Sequence, residues 1–270
     1  MSGSEQQPLP GTLGIPSEVL GRYRGWRFTV AYQYGAPAIT YRMDSSGGET
    51  HFLKLAPPDA HPSLVDEAAR MRWACDYLSA PEVVGVGAGA DVYWLATVGL
   101  PGHDATAPRW KGDPERLVRS LAAGLRRMHE LSVEACPFDF RLEVALPHVM
   151  RRVEQGQVLP ERDFHPEYEH YSAETALAVL LDTRPATEDL VVCHGDFCLP
   201  NLLLEDWEPT GWIDLGELGV ADRWWDVAVA TWSISWNLGP GLEDLFLDAY
   251  GVARDDDRIA YYRLLYDVVS

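Results

Sequence analysis

The chain of 270 residues is long enough for one large or two small domains with a hydrophobic core. Its apolar fraction of 47% and charged fraction of 23% are ordinary for a globular enzyme, and no apolar run reaches the length of a membrane span. The formal net charge of −19 disfavours nucleic acid and anionic membranes as partners, because such a field attracts cations.

The chain begins with residues 1–21, which predict a flexible tail. The stretch "MSGSEQQPLPG" has neither the basic region nor the apolar region of a signal peptide, so we expect a cytoplasmic protein.

Three short strands are predicted over residues 26–55, where "YGAP" and "SSGG" mark the breaks. Lys54 in the third strand is one of only two lysines, and this bias toward arginine predicts a role for its compact charge. The ordinary alternative is an edge-strand lysine that extends into solvent.

A helix is predicted over residues 62–79 from its apolar spacing, and a hairpin follows over residues 82–98. The glycines and proline of residues 99–103 predict a hinge. Residues 113–131 predict a helix that begins at the N-cap Asp113. Further helices are predicted near residues 140–155, 171–182, 222–236, 241–250 and 256–268, with short strands at 189–193, 202–205 and 210–214.

This pattern predicts an α+β fold in two lobes. The smaller N-terminal lobe, residues 22–98, is rich in strands and carries one helix, and the larger C-terminal lobe, residues 104–270, is mainly helical.

Polar side chains interrupt an apolar, strand-like run in "VVCHGDFCLPNLLL", and we call residues 194–201 within it the HGD loop. Asp196 follows a strand, where a carboxylate can act as the base for a reacting hydroxyl. Asn201, and Asp214 brought back beside it by a hairpin, offer the hard oxygen ligands that suit Mg²⁺. With the lysine of the third strand and Glu67 of the following helix, these are the parts of a phosphoryl-transfer site. The alternative is that Asp196 and Asn201 only cap turns.

The segments "HGDFCLPN" and "IDLGELGVADRWWDVA" resemble those of the aminoglycoside O-phosphotransferases, most nearly the 3′-phosphotransferase branch. The resemblance extends over nearly the whole chain, through "FLKLAP", "LPGHDA", "MHEL", "CPFD" and "RIAYYRLL". It implies a bilobal, protein-kinase-like fold that uses ATP and Mg²⁺ to phosphorylate a hydroxyl, most nearly the 3′ hydroxyl, of a cationic aminoglycoside antibiotic. It thereby implies antibiotic resistance, and we expect a monomer or a weak dimer.

The resemblance also implies roles for single residues. Lys54 and Glu67 correspond to the lysine and glutamate of the nucleotide site, and Asp196 corresponds to the catalytic aspartate. Asn201 and Asp214 correspond to the metal ligands.

Three further roles follow from the resemblance alone. The carbonyl of Val98 and the amide of Leu100 are expected to hold the adenine. Asp226 is expected to support the HGD loop by accepting backbone N–H bonds, and His194 is expected to be structural.

Substrate binding is implied for an acidic insert, residues 162–171, and for the C-terminus. In the insert Asp163, Glu167 and Glu169 are expected to face the amines of the antibiotic, together with Asp267 from the end of the chain, in partly exposed ion pairs. From its residues alone the insert also fits a metal-binding loop or a solvated segment between helices.

Several positions depart from the family pattern. Ala36 and Pro37 stand where a serine and a glycine are usual in the loop that covers the phosphates. Glu217 stands where an arginine is common. The usual terminal Leu-Asp-Glu followed by two aromatic residues becomes "LLYDVVS", which leaves Asp267 as the acid of the tail.

These departures leave two alternatives open. The chain could be a kinase of another small molecule, such as streptomycin, a macrolide or a choline-like metabolite. It could also be a non-catalytic nucleotide-binding protein, although its intact phosphoryl-transfer residues oppose that interpretation.

Overall fold

The structure is a computed structural model that describes residue 9 and residues 11–33 and 37–269. The chain divides into two compact units, one that ends at Pro101 and one that begins at Gly102. The division falls inside residues 99–103, where glycine and proline interrupt regular structure.

The first unit is built on an antiparallel sheet. Among its described residues the strands are β1 (Arg27–Tyr32), β2 (Ile39–Asp44), β3 (Thr50–Ala56), β4 (Val83–Ala88) and β5 (Tyr93–Val98). Their order is β1-β2-β3-β5-β4, so β3 has a neighbour on each side. Leu53 and Leu55 lie on the buried face of β3, and Lys54 between them lies on the other face. Lys54 is therefore not an edge-strand lysine, since it pairs with Thr40 of β2 and Leu95 of β5.

Helix α1 (Ser17–Arg22) precedes the sheet. Val19 is 1% exposed and belongs to the same apolar core as Leu53 and Leu55. The indole of Trp94 donates a hydrogen bond to Glu18 at 2.7 Å. The prediction of a flexible tail over residues 1–21 is wrong for residues 17–21, because these contacts tie the helix to the sheet.

Helix α2 (Leu64–Ala74) follows β3 in the chain. Its N-cap is Ser63, whose hydroxyl accepts a hydrogen bond from the backbone N–H of Asp66. The predicted helix over 62–79 is confirmed in its middle but ends earlier, since turns replace it after Ala74.

The second unit is mainly helical. Its helices in the described residues are α3 (Pro114–His129), α4 (Leu142–Glu154), α5 (Pro160–Asp163), α6 (Ala173–Asp182), α7 (Trp224–Leu238), α8 (Glu243–Tyr250) and α9 (Asp256–Val269). Asp113 caps helix α3 as predicted, accepting a hydrogen bond from the backbone N–H of Arg116. The helices predicted from residue 140 onward are confirmed, and α5 inside the acidic insert is an addition. Through all the described ranges, no helix combines the length and apolarity that a bilayer crossing requires.

Short strands position the HGD loop within the second unit. They are β6 (His103–Asp104), β7 (Leu190–Cys193), β8 (Leu202–Glu205), β9 (Glu208–Trp212) and β10 (Gly219–Asp222). Strand β7 pairs with β10, and β8 lies between β6 and β9. The HGD loop therefore leaves one small sheet at β7 and enters another at β8. Strand β10 was not predicted, because the four residues Gly-Val-Ala-Asp shortly before a helix are too few to carry a periodic signal. The α+β class is confirmed.

Candidate active site

In the first unit, Lys54 and Glu67 form an ion pair. The ammonium Nζ lies 3.0 and 3.1 Å from the two carboxylate oxygens of Glu67. Glu67 is 1% exposed, whereas the side chain of Lys54 is 31% exposed. A carboxylate buried to this degree needs a cation, so the pair holds the ammonium at one point above the sheet while part of it stays accessible.

Val98 and Leu100 are half-buried in the same unit. The amide of Val98 donates to the carbonyl of Glu82 at 2.9 Å, and the amide of Gly99 donates to the carbonyl of Thr50 at 2.8 Å. These bonds fix the backbone at the end of β5. The assignment of Val98 and Leu100 to adenine binding stays a prediction, as does the role of Pro37, and Ala36 lies outside the described residues.

In the second unit, Asp226 anchors the start of the HGD loop. Its carboxylate accepts hydrogen bonds from the backbone N–H of His194 at 2.6 Å, from that of Gly195 at 2.9 Å, and from His129 Nε2 at 2.9 Å. Asp226 is fully buried. The expectation that it supports the loop through backbone N–H bonds is confirmed, and the contact with His129 is one that the sequence did not predict.

Gly195 is required by the turn that this anchor creates. Its φ of +88° lies in the left-handed region, and a Cβ there would lie 2.4 Å from Cβ of Glu217. Its carbonyl accepts a hydrogen bond from the indole of Trp225 at 2.8 Å. The loop is thus held on both sides immediately before Asp196.

The carboxylate of Asp196 has a hydrogen-bond donor at each oxygen. Asn201 Nδ2 donates to Oδ2 at 2.9 Å, and the hydroxyl of Tyr266 donates to Oδ1 at 2.9 Å. Burial raises the pKa of Asp196, and the nearby negative charge of Asp214 raises it further. Sequence analysis did not single out Tyr266, because a contact across 70 residues leaves no local pattern.

Asn201 and Asp214 lie side by side because of the β8–β9 hairpin. Leu202 pairs with Trp212 in that hairpin, and the backbone N–H of Ile213 donates to the carbonyl of Asn201 at 3.0 Å. Asp214 adopts a φ of +60°, in the left-handed region, which costs a non-glycine residue about 1 kcal/mol or more. This conformation changes the direction of the chain after the hairpin.

The side chains of Asn201 and Asp214, with Asp196 beside them, fit a magnesium ion. The amide nitrogen of Asn201 is committed to Asp196, which leaves the amide oxygen for other partners. The negative charge of Asp214 disfavours ionisation of Asp196, and a divalent cation would relieve that repulsion. One carboxylate and one amide oxygen are suitable ligands, with phosphate oxygens to complete the shell.

A second cluster of possible ligands is structural. Among the described residues His129, Cys193 and Asp226 present ligand atoms within 4.8 Å of one another. The thiol of Cys193 donates to the carbonyl of Asp222, and burial raises its pKa well above the ordinary value, which disfavours the thiolate that a metal requires. The carboxylate of Asp226 is already occupied by three donors.

The predicted acceptor-binding acids are also in the second unit, but their exposure differs. Glu169 is exposed, and Glu167 pairs with Arg263 at 3.4 Å. Asp163 is largely shielded from solvent, since its side chain is 11% exposed, and its two oxygens accept from the backbone N–H of Leu159 at 2.8 Å and from Arg162 at 2.7 Å. Of the three acids of the insert, Glu167 and Glu169 are therefore the exposed ones.

Asp267 requires a correction. The sequence analysis expected it in a partly exposed ion pair, yet it is 5% exposed and accepts a hydrogen bond from the backbone N–H of His165 at 2.8 Å. Burial raises its pKa to about 7, and the charges of Glu167 and Asp163 act in the same direction. The chain end therefore packs against the acidic insert, as the resemblance implied, but this carboxyl is not a free surface anion.

Glu217, the reversed charge after the Ile-Asp-Leu-Gly segment, is also buried, at 6% exposure. It lies beneath Gly195, and its charge acts on Arg152 of α4 and on Tyr266 of α9.

Comparison with known proteins identifies the class. A sequence model of the phosphotransferase enzyme family matches residues 35–262, and the chain belongs to that family. An aminoglycoside 3′-phosphotransferase from Streptomyces fradiae is 39% identical over 230 residues, which cover 79% of this chain and 84% of the relative.

Solved structures of aminoglycoside phosphotransferases are also similar to this chain. The crystal structure of an aminoglycoside 3′-phosphotransferase of type VIII matches with a TM-score of 0.84 at 37% identity, covering 93% of this chain and 96% of that one. An aminoglycoside phosphotransferase from Streptomyces rimosus, solved with ADP and streptomycin, matches with a TM-score of 0.76 at 28% identity over 93% and 96% of the two chains. The predicted family and the kinase-like fold are confirmed.

Proposed function

We propose that this protein is an ATP-dependent aminoglycoside O-phosphotransferase that modifies the 3′ hydroxyl and thereby confers resistance. The observation that carries the proposal is the arrangement at the HGD loop, where Asp196 is held by Asn201 beside Asp214. A carboxylate positioned next to a suitable metal-ligand pair is what transfer of a phosphoryl group to a hydroxyl requires. The identity of 39% to a 3′-phosphotransferase supports the choice of acceptor.

In this proposal Asp196 orients the acceptor hydroxyl and takes its proton. The hydroxyl oxygen forms a bond to the γ-phosphorus while the bond from that phosphorus to the bridging oxygen of ADP breaks. Asn201 and Asp214 would hold Mg²⁺, which, when bound, neutralises charge on the phosphates. Lys54, fixed by Glu67, would contact the nucleotide phosphates, and Val98 and Leu100 would hold the adenine.

The acceptor is proposed to be cationic. Residues 100–270 contain 31 acidic residues against 15 basic ones, and each ammonium of an aminoglycoside needs an anionic or carbonyl partner when it loses water. Asp163, Glu167 and Glu169 would supply such partners together, because single exposed ion pairs contribute only about 0–1 kcal/mol. Asp267 would act mainly by holding the insert in place through its bond to His165.

We further propose that the enzyme acts in the cytoplasm, where its nucleotide donor is found, as a monomer or weak dimer. A second candidate is a streptomycin kinase. The 28% identical structure that contains streptomycin favours it, as does the replacement of the usual tail acids by Tyr266 and one buried Asp.

The test is a coupled ADP-release assay with a panel of acceptors. The panel contains pairs of aminoglycosides that differ only in the presence of the 3′ hydroxyl, with streptomycin, a macrolide and choline as the other arms. We expect turnover with the 3′-hydroxyl members and none with their 3′-deoxy partners, and a phosphorylated product by mass spectrometry. Turnover with streptomycin alone would select the second candidate, and turnover with neither class would overturn the proposal.

A further inference from the structure

Tyr266 contacts the proposed base through a single polar atom. It lies in the last turn of α9, is half-buried, and its hydroxyl donates to Asp196 Oδ1 at 2.9 Å. Asn201 donates to the other oxygen, and the thiol of Cys198 also faces this carboxylate. One of the two carboxylate oxygens of Asp196, Oδ1, is therefore hydrogen-bonded to the phenol of Tyr266.

The phenol can only be the donor in this pair. An ionised carboxylate accepts hydrogen bonds and donates none. Burial raises the pKa of Tyr266 well above its ordinary value, and the negative charge of Asp196 raises it further, so the hydroxyl keeps its proton. A charge-assisted bond of this kind is stronger than one between neutral groups.

The end of α9 is held so that the phenol stays in register with the base. The next residue, Asp267, binds the backbone N–H of His165 in the acidic insert. Arg152 of α4 donates to the carbonyl of Val269. Asp267 and Val269 thus tie the last turn to two different segments, which leaves Tyr266 little freedom to move away from Asp196.

We infer that Tyr266 is a positioning residue: it fixes the plane of the Asp196 carboxylate and occupies an acceptor position of Oδ1, which makes that position unavailable to water when no acceptor is bound. The inference rests on the proposed role of Asp196. With two donors, Tyr266 and Asn201, the carboxylate cannot rotate freely about its own axis. An acceptor hydroxyl then meets a carboxylate of Asp196 whose orientation is already fixed, which favours phosphoryl transfer.

The side reaction that Tyr266 would suppress is hydrolysis of ATP. A water bound to Asp196 Oδ1 would place its oxygen against the γ-phosphorus. A bond would form between these atoms, the bond to the bridging oxygen of ADP would break, and the proton would go to Asp196. The phenol hydroxyl occupies the hydrogen-bond position that such a water would use.

The experiment compares Tyr266→Phe with wild type in two assays, ADP release without acceptor and ADP release with a saturating aminoglycoside substrate. Loss of one bond to a charged group changes rates by about tenfold, so we expect the ratio of hydrolysis to transfer to rise by about that factor. The KM for ATP should stay within about twofold of wild type. Tyr266→Met, which also lacks the hydroxyl but has a different shape, should give the same ratio.

Two controls identify the cause. Tyr261→Phe removes another buried hydroxyl of α9, one near Arg184 and Glu188, and should leave the ratio at the wild-type value. Adding Asp196→Asn to Tyr266→Phe should abolish the extra hydrolysis, because that reaction uses the same base.

An unchanged ratio in Tyr266→Phe would overturn the inference. So would an equal rise in Tyr261→Phe, or hydrolysis that persists without Asp196. If no aminoglycoside in the panel is phosphorylated, that result counts against the proposed function alone, and the rate of ADP release without acceptor then replaces the ratio. This rate should rise about tenfold in Tyr266→Phe and stay at the wild-type value in Tyr261→Phe. An unchanged rate in Tyr266→Phe would overturn the inference.

Discussion

Replacing Asp226 with Asn tests how the HGD loop is held. The carboxylate is fully buried and accepts three hydrogen bonds. The amide has the same shape but exchanges one acceptor oxygen for a donor NH₂ group. The change therefore alters hydrogen bonding with almost no change in packing.

The magnitude follows from which donors lose their acceptor. His194 N–H and His129 Nε2 both face Oδ2 of Asp226, whereas Gly195 N–H faces Oδ1, so neither orientation of the amide satisfies all three. His129 can change tautomer, because its other nitrogen bonds the hydroxyl of Tyr250 at 2.6 Å. One backbone N–H is still left without an acceptor, which costs roughly 1–3 kcal/mol. The remaining bonds also lose the assistance of the carboxylate charge, and we expect a total of about 2–4 kcal/mol.

The assay is chemical and thermal denaturation of Asp226→Asn, together with its turnover. A loss of this size should lower the melting temperature by roughly 4–12 °C. Turnover should fall by at least about tenfold, since the loop positions Asp196. The matched control is Asp248→Asn on the exposed face of α8, which should stay within about 0.5 kcal/mol of wild type. A change below about 0.5 kcal/mol in Asp226→Asn with normal turnover would refute the reasoning.

Three further predictions concern the proposed site. Asp196→Asn should lower turnover by at least about 100-fold and leave ATP affinity nearly unchanged, because a base acts on the acceptor hydroxyl; ADP release and calorimetric titration measure the two. Asp214→Ala should remove Mg²⁺-dependent ATP binding and Asn201→Ala should weaken it less, because only the carboxylate carries charge; titrations with and without Mg²⁺ measure both. Asp267→Asn should flatten the pH dependence of stability. Burial raises the pKa of Asp267 from 3.8 to about 7, so its stabilising contribution is fully present below pH 3.8 and is lost as pH rises through 7. Denaturation at about pH 4.5 and pH 7.5 should show a wild-type loss larger than that of the variant by roughly 2–4 kcal/mol.

Each of these has a contrary result. Turnover of Asp196→Asn within about tenfold of wild type would remove its assignment as the base. Unchanged Mg²⁺ dependence in Asp214→Ala would transfer the metal role to another residue. Identical pH profiles of stability for wild type and Asp267→Asn would mean that this carboxyl is ionised in the folded protein.

The sequence alone was sufficient for features that depend on neighbours in the chain. Asp196 and Asn201 are five residues apart and still bond directly, because a short loop brings such positions together. The apolar residues on either side of Lys54 predicted a strand, and Asp113 was recognised as a helix cap from its own position. The hairpin that places Asp214 beside Asn201 was also predicted, since its strands adjoin in the chain.

The tertiary structure alone decided which distant groups meet and which are shielded from water. Tyr266 reaches Asp196 across 70 residues, His129 reaches Asp226 across 97, and Asp267 reaches His165 across 102. A periodic pattern shows which face of one helix or strand is apolar, but it carries no information about which other element covers that face. For this reason Asp267, read from the sequence as a partly exposed anion, is a buried carboxyl whose pKa burial raises to about 7. Its charge state is set by residues that only folding brings next to it.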